Sequence, residues 1–489
     1  MAKAIEATAR SSPLHVVVFP WLAFGHMIPS LELSEQLARR GHAVTFVSAP
    51  RNLARLRPVP EDLRPRVRLL PLPLPSVDGL PDGAESTADV PPEKVDLLKV
   101  AFDGLAAPFA GFLAGACAGG EGATGFGRKP DWVFVDFTHH WLPPIAEQHK
   151  VPCALFSIFP AAFIAFLGPK TANDERPRMT AEDFTDQPPW IPFPTHIVHR
   201  LHEAEQFVQL HLRPNAAGPS DCCRFWETEQ RCRLVIVRSC REVDGPLCPL
   251  LTGLFGKPVA PSSLLAPYDA AQEAVADRTG GGEGEDKESA SLMGWLDEQP
   301  ARSVIYVAFG SEAPLTPKQV RELAIGLELS GARFLWAVRE PSGPLIPDGF
   351  VERVSAGSGR GLVRVGWVPQ VRVLAHGAVG AFLTHTGWSS LMESFLFGHP
   401  LVMLPLFADQ CVTARAMAAR AVGLEVPRDE RDGSFAGVDV AGTVRRVMAE
   451  GEEGKTLARN ARAFQQILCN RAKQDGYVDE LVEHLLRLQ

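Results

Sequence analysis

Short apolar runs dominated by β-branched and aromatic residues recur along the chain with helix-length segments between them, and this alternation restricts the fold more than any other feature. The first run, LHVVVFP at 14–20, is continuous, as in a strand covered on both faces within a parallel sheet. The loop WLAFGHM follows. Pro29 then suits the first turn of a helix, Ile28, Leu31, Leu37 and Ala38 fall at helical spacing, and Gly41 closes it before AVTFVSA. DWVFVDF at 131–137 and VPCALFSI at 151–158 continue the pattern. The stretch 268–291 is rich in Gly and acidic residues, and is expected to be a mobile surface loop near a domain boundary. Beyond it the rhythm restarts with SVIYVAFGS, RFLWAVR, LVRVGWV, GAFLTH and PLVMLPL, alternating with helices that begin at Pro317, near Ser389 and at DQCVTARAMA. The expected fold class is α/β, built from two Rossmann-like, doubly wound halves.

At 489 residues the chain is long enough for two such domains. A net charge of −8 disfavours nucleic acid or an acidic membrane as partner and leaves small molecules as the expected ligands. Nine scattered cysteines form no C-x-x-C pair, which fits neither a disulfide framework nor a zinc site and suits a reducing, cytoplasmic setting. The N-terminus lacks a signal-peptide core, no apolar run reaches membrane-spanning length, and the most apolar segment, at 105–118, reads as a core helix. No membrane insertion is expected.

The stretch HTGWSSLMESF at 385–395 places Gly387 between the strand GAFLTH and a helix opening at Ser389. In a parallel sheet that strand end borders the ligand crevice, and a helix N-terminus there offers unpaired N–H groups to an anion. Ser389 and Ser390 read equally well as ordinary helix caps. Trp388, an indole at a wet strand end, favours a ligand wall.

From Trp367 to Gln410 the sequence WVPQVRVLAHGAVGAFLTHTGWSSLMESFLFGHPLVMLPLFADQ resembles the signature box of plant family 1 UDP-dependent glycosyltransferases. HVVVFPWLAFGHMIPSLELSEQLARRGH and GLPDGAESTADVP extend the likeness toward the subgroup that adds a sugar to an existing glycoside. The resemblance implies a GT-B fold, two facing Rossmann-like domains with a deep cleft: residues 1–255 binding acceptor, 256–465 binding donor, and 466–489 a helix returning to the first domain. It implies that Trp367 stacks on uracil, Val368 reads the uracil edge, and Gln370 and Glu393 bind ribose. Ser311, His385, Gly387, Ser389 and Ser390 would contact the diphosphate; Trp388, Asp409 and Gln410 would hold the transferred sugar. The family usually has Cys at Thr386 and Asn at Ser389, so donor contacts at Ser389 are expected to be weaker by one neutral hydrogen bond, about 0.5–1.5 kcal/mol.

His26 follows the first strand and Asp136 ends DWVFV, so parallel-sheet geometry can bring both to one rim. Taken alone, each reads as a local hydrogen-bonding or turn residue; their spacing matches the family's catalytic pair. The implied mechanism is inverting single displacement, with His26 as base and Asp136 orienting it. Phe24, His139, His140 and Trp141 are candidates to line the acceptor pocket, with at most one of the two adjacent histidines as a contact. His199 and His202 lack convincing metal partners, and neither a metal nor a cofactor is expected. The absence of G-x-S-x-G, G-x-G-x-x-G and G-x-x-x-x-G-K-[ST] disfavours a serine hydrolase, a nicotinamide dehydrogenase and a P-loop NTPase. The expected enzyme is a monomer moving a hexose from UDP-glucose first, UDP-rhamnose second, to a hydroxyl of a small plant metabolite, the sugar of a flavonoid, terpenoid or steroidal glycoside. The alternative is a noncatalytic UDP-sugar-binding or glycoside-binding protein.

Overall fold

The continuous valine-rich runs form strands that are buried on both faces in the middle of each sheet, while edge positions such as Leu69 and Val365 stay exposed. In the computed structural model, which describes residues 12–119, 126–276, 287–310, 315–338, 346–357 and 359–489, they assemble two separate all-parallel sheets. The first contains β1 (His15–Phe19), β2 (Ala43–Ser48), β3 (Val67–Pro71), β4 (Trp132–Val135), β5 (Cys153–Ser157), β6 (Leu234–Val237) and β7 (Val259–Pro261), in the order β3-β2-β1-β4-β5-β6-β7. The second contains β8 (Val304–Ala308), β9 (Arg333–Val338), β10 (Gly361–Val365), β11 (Val379–Thr384), β12 (Leu401–Met403) and β13 (Gly423–Glu425), in the order β10-β9-β8-β11-β12-β13.

Each order carries a topological switch. The chain leaves β1 toward β2 and β3, then returns to lay β4 on the other side of β1; in the second sheet β11 returns beside β8 in the same way. The paired strands end together, Phe19 opposite Val135 and Ala308 opposite Thr384. Crossover loops diverge above such strand pairs and leave a crevice at their carboxyl ends, where ligands of doubly wound sheets bind.

The chain divides into two compact units, one of Met1–Pro177, His211–Leu265 and Ala472–Gln489, the other of Arg178–Leu210 and Ala266–Arg471. These boundaries differ from the expected 1–255, 256–465 and 466–489. β7 extends the first sheet past residue 255 because its backbone pairs with β6, and Arg178–Leu210 groups with the second unit despite its place in the N-terminal half. The closing helix, Arg471–Arg487, buries Val478, Leu481 and Leu485 in the core of the first unit, where the Trp132 indole N–H donates to the Leu485 carbonyl at 3.1 Å.

Two local expectations need correction. The helix after β1 runs Phe24–Arg39, so it begins five residues before Pro29 and holds His26 in its first turn. Extended Ala23 is the cap, its carbonyl accepting from the amides of His26 and Met27, each at 2.9 Å. Part of the expected mobile loop at 268–291 is helical. Tyr268–Ala276 is anchored by a 2.5 Å hydrogen bond from the Tyr268 hydroxyl to the Leu468 carbonyl and by Arg471 over the tyrosine ring, and Lys287–Asp297 buries Leu292 and Leu296. Residues 277–286 lie outside the described set. The apolar run at 105–118 does form a core-packed helix, Ala106–Ala118, preceded by Val95–Asp103; together Pro92–Ala118 has membrane-spanning length and composition, but Leu98, Phe102, Phe109 and Leu113 are buried in the first unit.

Candidate active site

At the switch point of the first sheet, the helix following β1 and the loop following β4 bring His26 and Asp136 into direct contact. Asp136 Oδ2 lies 2.6 Å from His26 Nδ1 and also accepts from the Trp21 amide at 3.1 Å, while Oδ1 accepts from the Phe137 amide at 2.8 Å. Burial by itself raises the Asp136 carboxyl, but the charge and hydrogen bond of His26 and the Trp21 N–H outweigh it, so the acid is held below the usual carboxylate range. With Nδ1–H committed to the carboxylate, Nε2 is the basic nitrogen of the imidazole. Phe137 and Phe159 flank the imidazole, with ring centroids 5.6 and 5.5 Å away. Phe159 was not singled out from the sequence, since it is an unremarkable aromatic until the fold places it there.

The loop carrying Asp136 is braced from the Asp221–Arg231 helix. Arg224, fully buried and paired to both oxygens of Asp103, reaches the Thr138 carbonyl and His140 Nδ1, and the Thr228 hydroxyl reaches the Phe137 carbonyl. His140 is thus tied to the loop from its Nδ1 side and stays half-buried. His139 is 0% exposed, set edge-on against Phe19 and Phe102 with ring centroids 4.8 Å apart. This corrects its candidacy as a lining residue, because a side chain sealed in an aromatic core presents no surface to an acceptor. Trp141 belongs to the same cluster, its indole nitrogen buried. Phe24 is half-buried under the Arg55 guanidinium, 4.6 Å from its ring, in the first helical turn two residues before His26.

The second switch point gathers most of the remaining candidates. Trp367 is 76% exposed just past β10, the presentation a flat ring needs in order to stack on a base, while Val368 is buried beside it. Gln370 and Glu393 are paired, amide nitrogen to carboxylate at 2.6 Å, and the Tyr306 hydroxyl donates to Gln370 at 3.3 Å. His385 follows β11, and burial lowers its pKa to about 4, so its ring is neutral. Its imidazole lies so close over two glycines that a Cβ would stand 2.9 Å from it at Gly310 and 2.4 Å at Gly387. Gly387 caps the helix Trp388–Phe395, which puts Ser389 and Ser390 in the first turn. The indole of Trp388 is only 3% exposed, which corrects its reading as a wet wall: it is closed off from solvent at the first helical position. Ser311 lies outside the described residues.

Thr386 stands at φ 65°, where a β-branched residue is strained. Its hydroxyl lies 2.5 Å from the His385 carbonyl and 2.8 Å from that of Gln410, tying the strand end to the loop that carries Asp409 and Gln410. Gln410 faces its own loop, its side-chain oxygen accepting from the Leu406 and Phe407 amides, and Asp409 is buried next to it. His199, Glu203 and Cys411 place possible metal-ligand atoms within 4.8 Å of one another. The Arg415 guanidinium sits 2.6 Å from Glu203 and already supplies the positive charge a metal would bring.

The UDP-glucoronosyl and UDP-glucosyl transferase family profile matches residues 276–452. The chain is 42% identical over 484 residues to UDP-glycosyltransferase 91B1 of Arabidopsis thaliana, covering 96% of this chain and 97% of that one. It belongs to the plant family 1 UDP-dependent glycosyltransferases. Soyasaponin III rhamnosyltransferase of Glycine max is 35% identical to this glycosyltransferase over 486 residues, with 99% and 97% of the two chains covered. A Glycyrrhiza uralensis enzyme solved with glycyrrhetinic acid 3-O-monoglucuronide superposes on the glycosyltransferase with a TM-score of 0.77 at 22% identity, covering 98% of this chain and 96% of the other, and shares its GT-B fold.

Proposed function

We propose that this UDP-glycosyltransferase moves a hexose, with inversion, from UDP-glucose or UDP-rhamnose to a hydroxyl of a small plant glycoside, and that His26 and Asp136 perform the proton transfer. The observation that carries the reading is the 2.6 Å contact between a buried carboxylate and a histidine at a switch-point strand end. The acceptor hydroxyl gives its proton to His26 Nε2 as its oxygen bonds to the anomeric carbon, and the bond from that carbon to the UDP oxygen breaks with its electrons leaving on UDP. The ionised Asp136 pairs with the imidazolium that results. Trp367 stacks the uracil, Gln370 and Glu393 take the ribose hydroxyls, and His385, Ser389, Ser390 and the amides opening the Trp388–Phe395 helix receive the diphosphate. Asp409 and Gln410 hold the sugar, and no metal enters the step. Soyasaponin III rhamnosyltransferase, named for a saponin acceptor and a rhamnosyl donor, supports a glycoside acceptor and keeps UDP-rhamnose beside UDP-glucose.

The test is a mass-spectrometric matrix of UDP-glucose, UDP-rhamnose and UDP-xylose against aglycones and their monoglycosides. Product masses one hexose or deoxyhexose above a monoglycoside are expected; conversion of aglycones alone would overturn the acceptor assignment. His26→Ala should lower kcat by about 10²–10⁴ while leaving UDP affinity, measured by calorimetry, unchanged. Undiminished turnover in that variant removes the base role.

A further inference from the structure

We propose that His139 is a positioning residue for the reaction: its neutral imidazole accepts the Asp136 backbone N–H and thereby fixes the carboxylate that orients His26. This rests on the catalytic pair just proposed. The Asp136 amide points at His139 Nδ1 across 3.1 Å. A backbone N–H is a fixed donor, so the proposal requires the nitrogen facing it to carry a lone pair and the ring's proton to sit on Nε2. The same Nδ1 lies 3.2 Å from the Asp136 carbonyl, which is already served by the His139 backbone amide at 3.3 Å and so does not require a proton from the ring.

The ring has no freedom to turn away. It is fully buried, edge-on to Phe19 and Phe102 and beside Trp141, and among the described residues Nε2 has no hydrogen-bond partner. Leaving one donor unserved in apolar surroundings is costly, which makes a histidine a poor choice where a phenylalanine would pack. The interaction gained at Nδ1 gives the residue a reason to stand there. Its charged form is disfavoured first by burial, and Arg224 and His140 add to this against the opposing pull of Asp136; the pKa falls to about 3. The imidazole is therefore neutral, as the acceptor role requires.

The consequence reaches His26 through one residue. Both Asp136 carboxylate oxygens are committed to backbone or ring N–H groups, of Trp21, Phe137 and His26. Rotating the peptide unit that carries the Asp136 N–H would turn the carboxylate away from His26 Nδ1. Pairing of Val135 with Phe19 and Leu155 holds the strand side of that unit, and His139 Nδ1, on the tight turn three residues on, holds it from the loop side.

The experiment compares His139→Leu, which fills the site without an acceptor, with His139→Asn, whose side-chain oxygen can take the same N–H. A tenfold lower kcat is expected for Leu, with KM for UDP-sugar and acceptor changed less than twofold. Asn should restore kcat to within threefold of the parent. Equal kcat in two folded variants overturns the proposal. Parental ¹⁵N-histidine spectra decide the matter if the Leu variant does not fold: His139 must show a protonated Nε2 and a bare Nδ1 at pH 7, and a protonated Nδ1 overturns it. Asp136→Asn separates the two readings. If that variant remains fully active, the catalytic pair itself fails; if it is inactive while the Leu and Asn variants at His139 turn over equally, only the positioning role fails.

Discussion

Thr386 shows how a single residue can join two parts of the proposed donor site. A β-branched side chain at φ 65° is strained, and what holds it there is the reach of its hydroxyl to the Gln410 carbonyl. Thr386→Val keeps the shape and the strain but loses that bond, so thermal unfolding should show a loss of about 1–2 kcal/mol, and KM for the UDP-sugar should rise severalfold with acceptor KM unchanged. At this scale the sequence showed a good deal. His26 and Asp136 were identified as a pair, and Gln370 and Glu393 as a second one, because their residue types and spacing follow a family pattern, and the fold sets each pair in contact. What it missed were the partners that have no pattern. Phe159, Tyr306 and Arg224 are ordinary residues until the fold sets them against His26, Gln370 and the Asp136 loop. Trp388 and His139 were misjudged as ligand-lining residues for the converse reason, since the sequence does not show whether an indole or an imidazole is sealed from solvent.

Among the elements, the clearest unanticipated feature is the attachment of Leu201–Phe207 to the helix Gln410–Ala419. Glu203 and Arg415 are both buried, 2.6 Å apart; burial pushes the Glu203 carboxyl up, but His199 beside it and the charge of Arg415 hold it far below the usual carboxylate range. Glu203→Ala strands a buried guanidinium and should destabilise the second unit by about 3–5 kcal/mol. Because the Arg415 helix starts at Gln410, next to Asp409, the same variant should raise donor KM; denaturant titration and initial-rate kinetics read the two effects. No sequence signal pairs residues 212 positions apart. The strand cores were legible because a continuous apolar run needs no partner in order to be recognised. The start of the helix at Phe24 was not: Pro29 is a familiar first-turn residue, yet here the extended cap at Ala23 comes earlier and the helix tolerates the proline inside it.

For the whole molecule, buried neutral histidines govern the response to acid. Burial lowers His15, His385 and His399 to about 4 and His139 to about 3, two of them in each unit. A histidine whose folded pKa lies below the unfolded value near 6.5 contributes stability that is complete above that pH and is lost as the pH falls toward the folded pKa. The depressed carboxyl of Asp136 acts lower, its contribution present above about pH 4 and lost beneath it. The melting midpoint should therefore fall between pH 7 and pH 5, before the carboxylates titrate, and calorimetry in buffers of different ionisation heat should register proton uptake on unfolding; a flat midpoint over that interval would contradict it. Fold class and the existence of two doubly wound halves followed from the sequence, because apolar periodicity is a local property that each segment carries by itself. The assignment of Arg178–Leu210 to the second unit, the sealing of His139 and Trp388, and the Glu203–Arg415 attachment were decided only by tertiary structure, because burial and pairing belong to the surroundings that distant segments create.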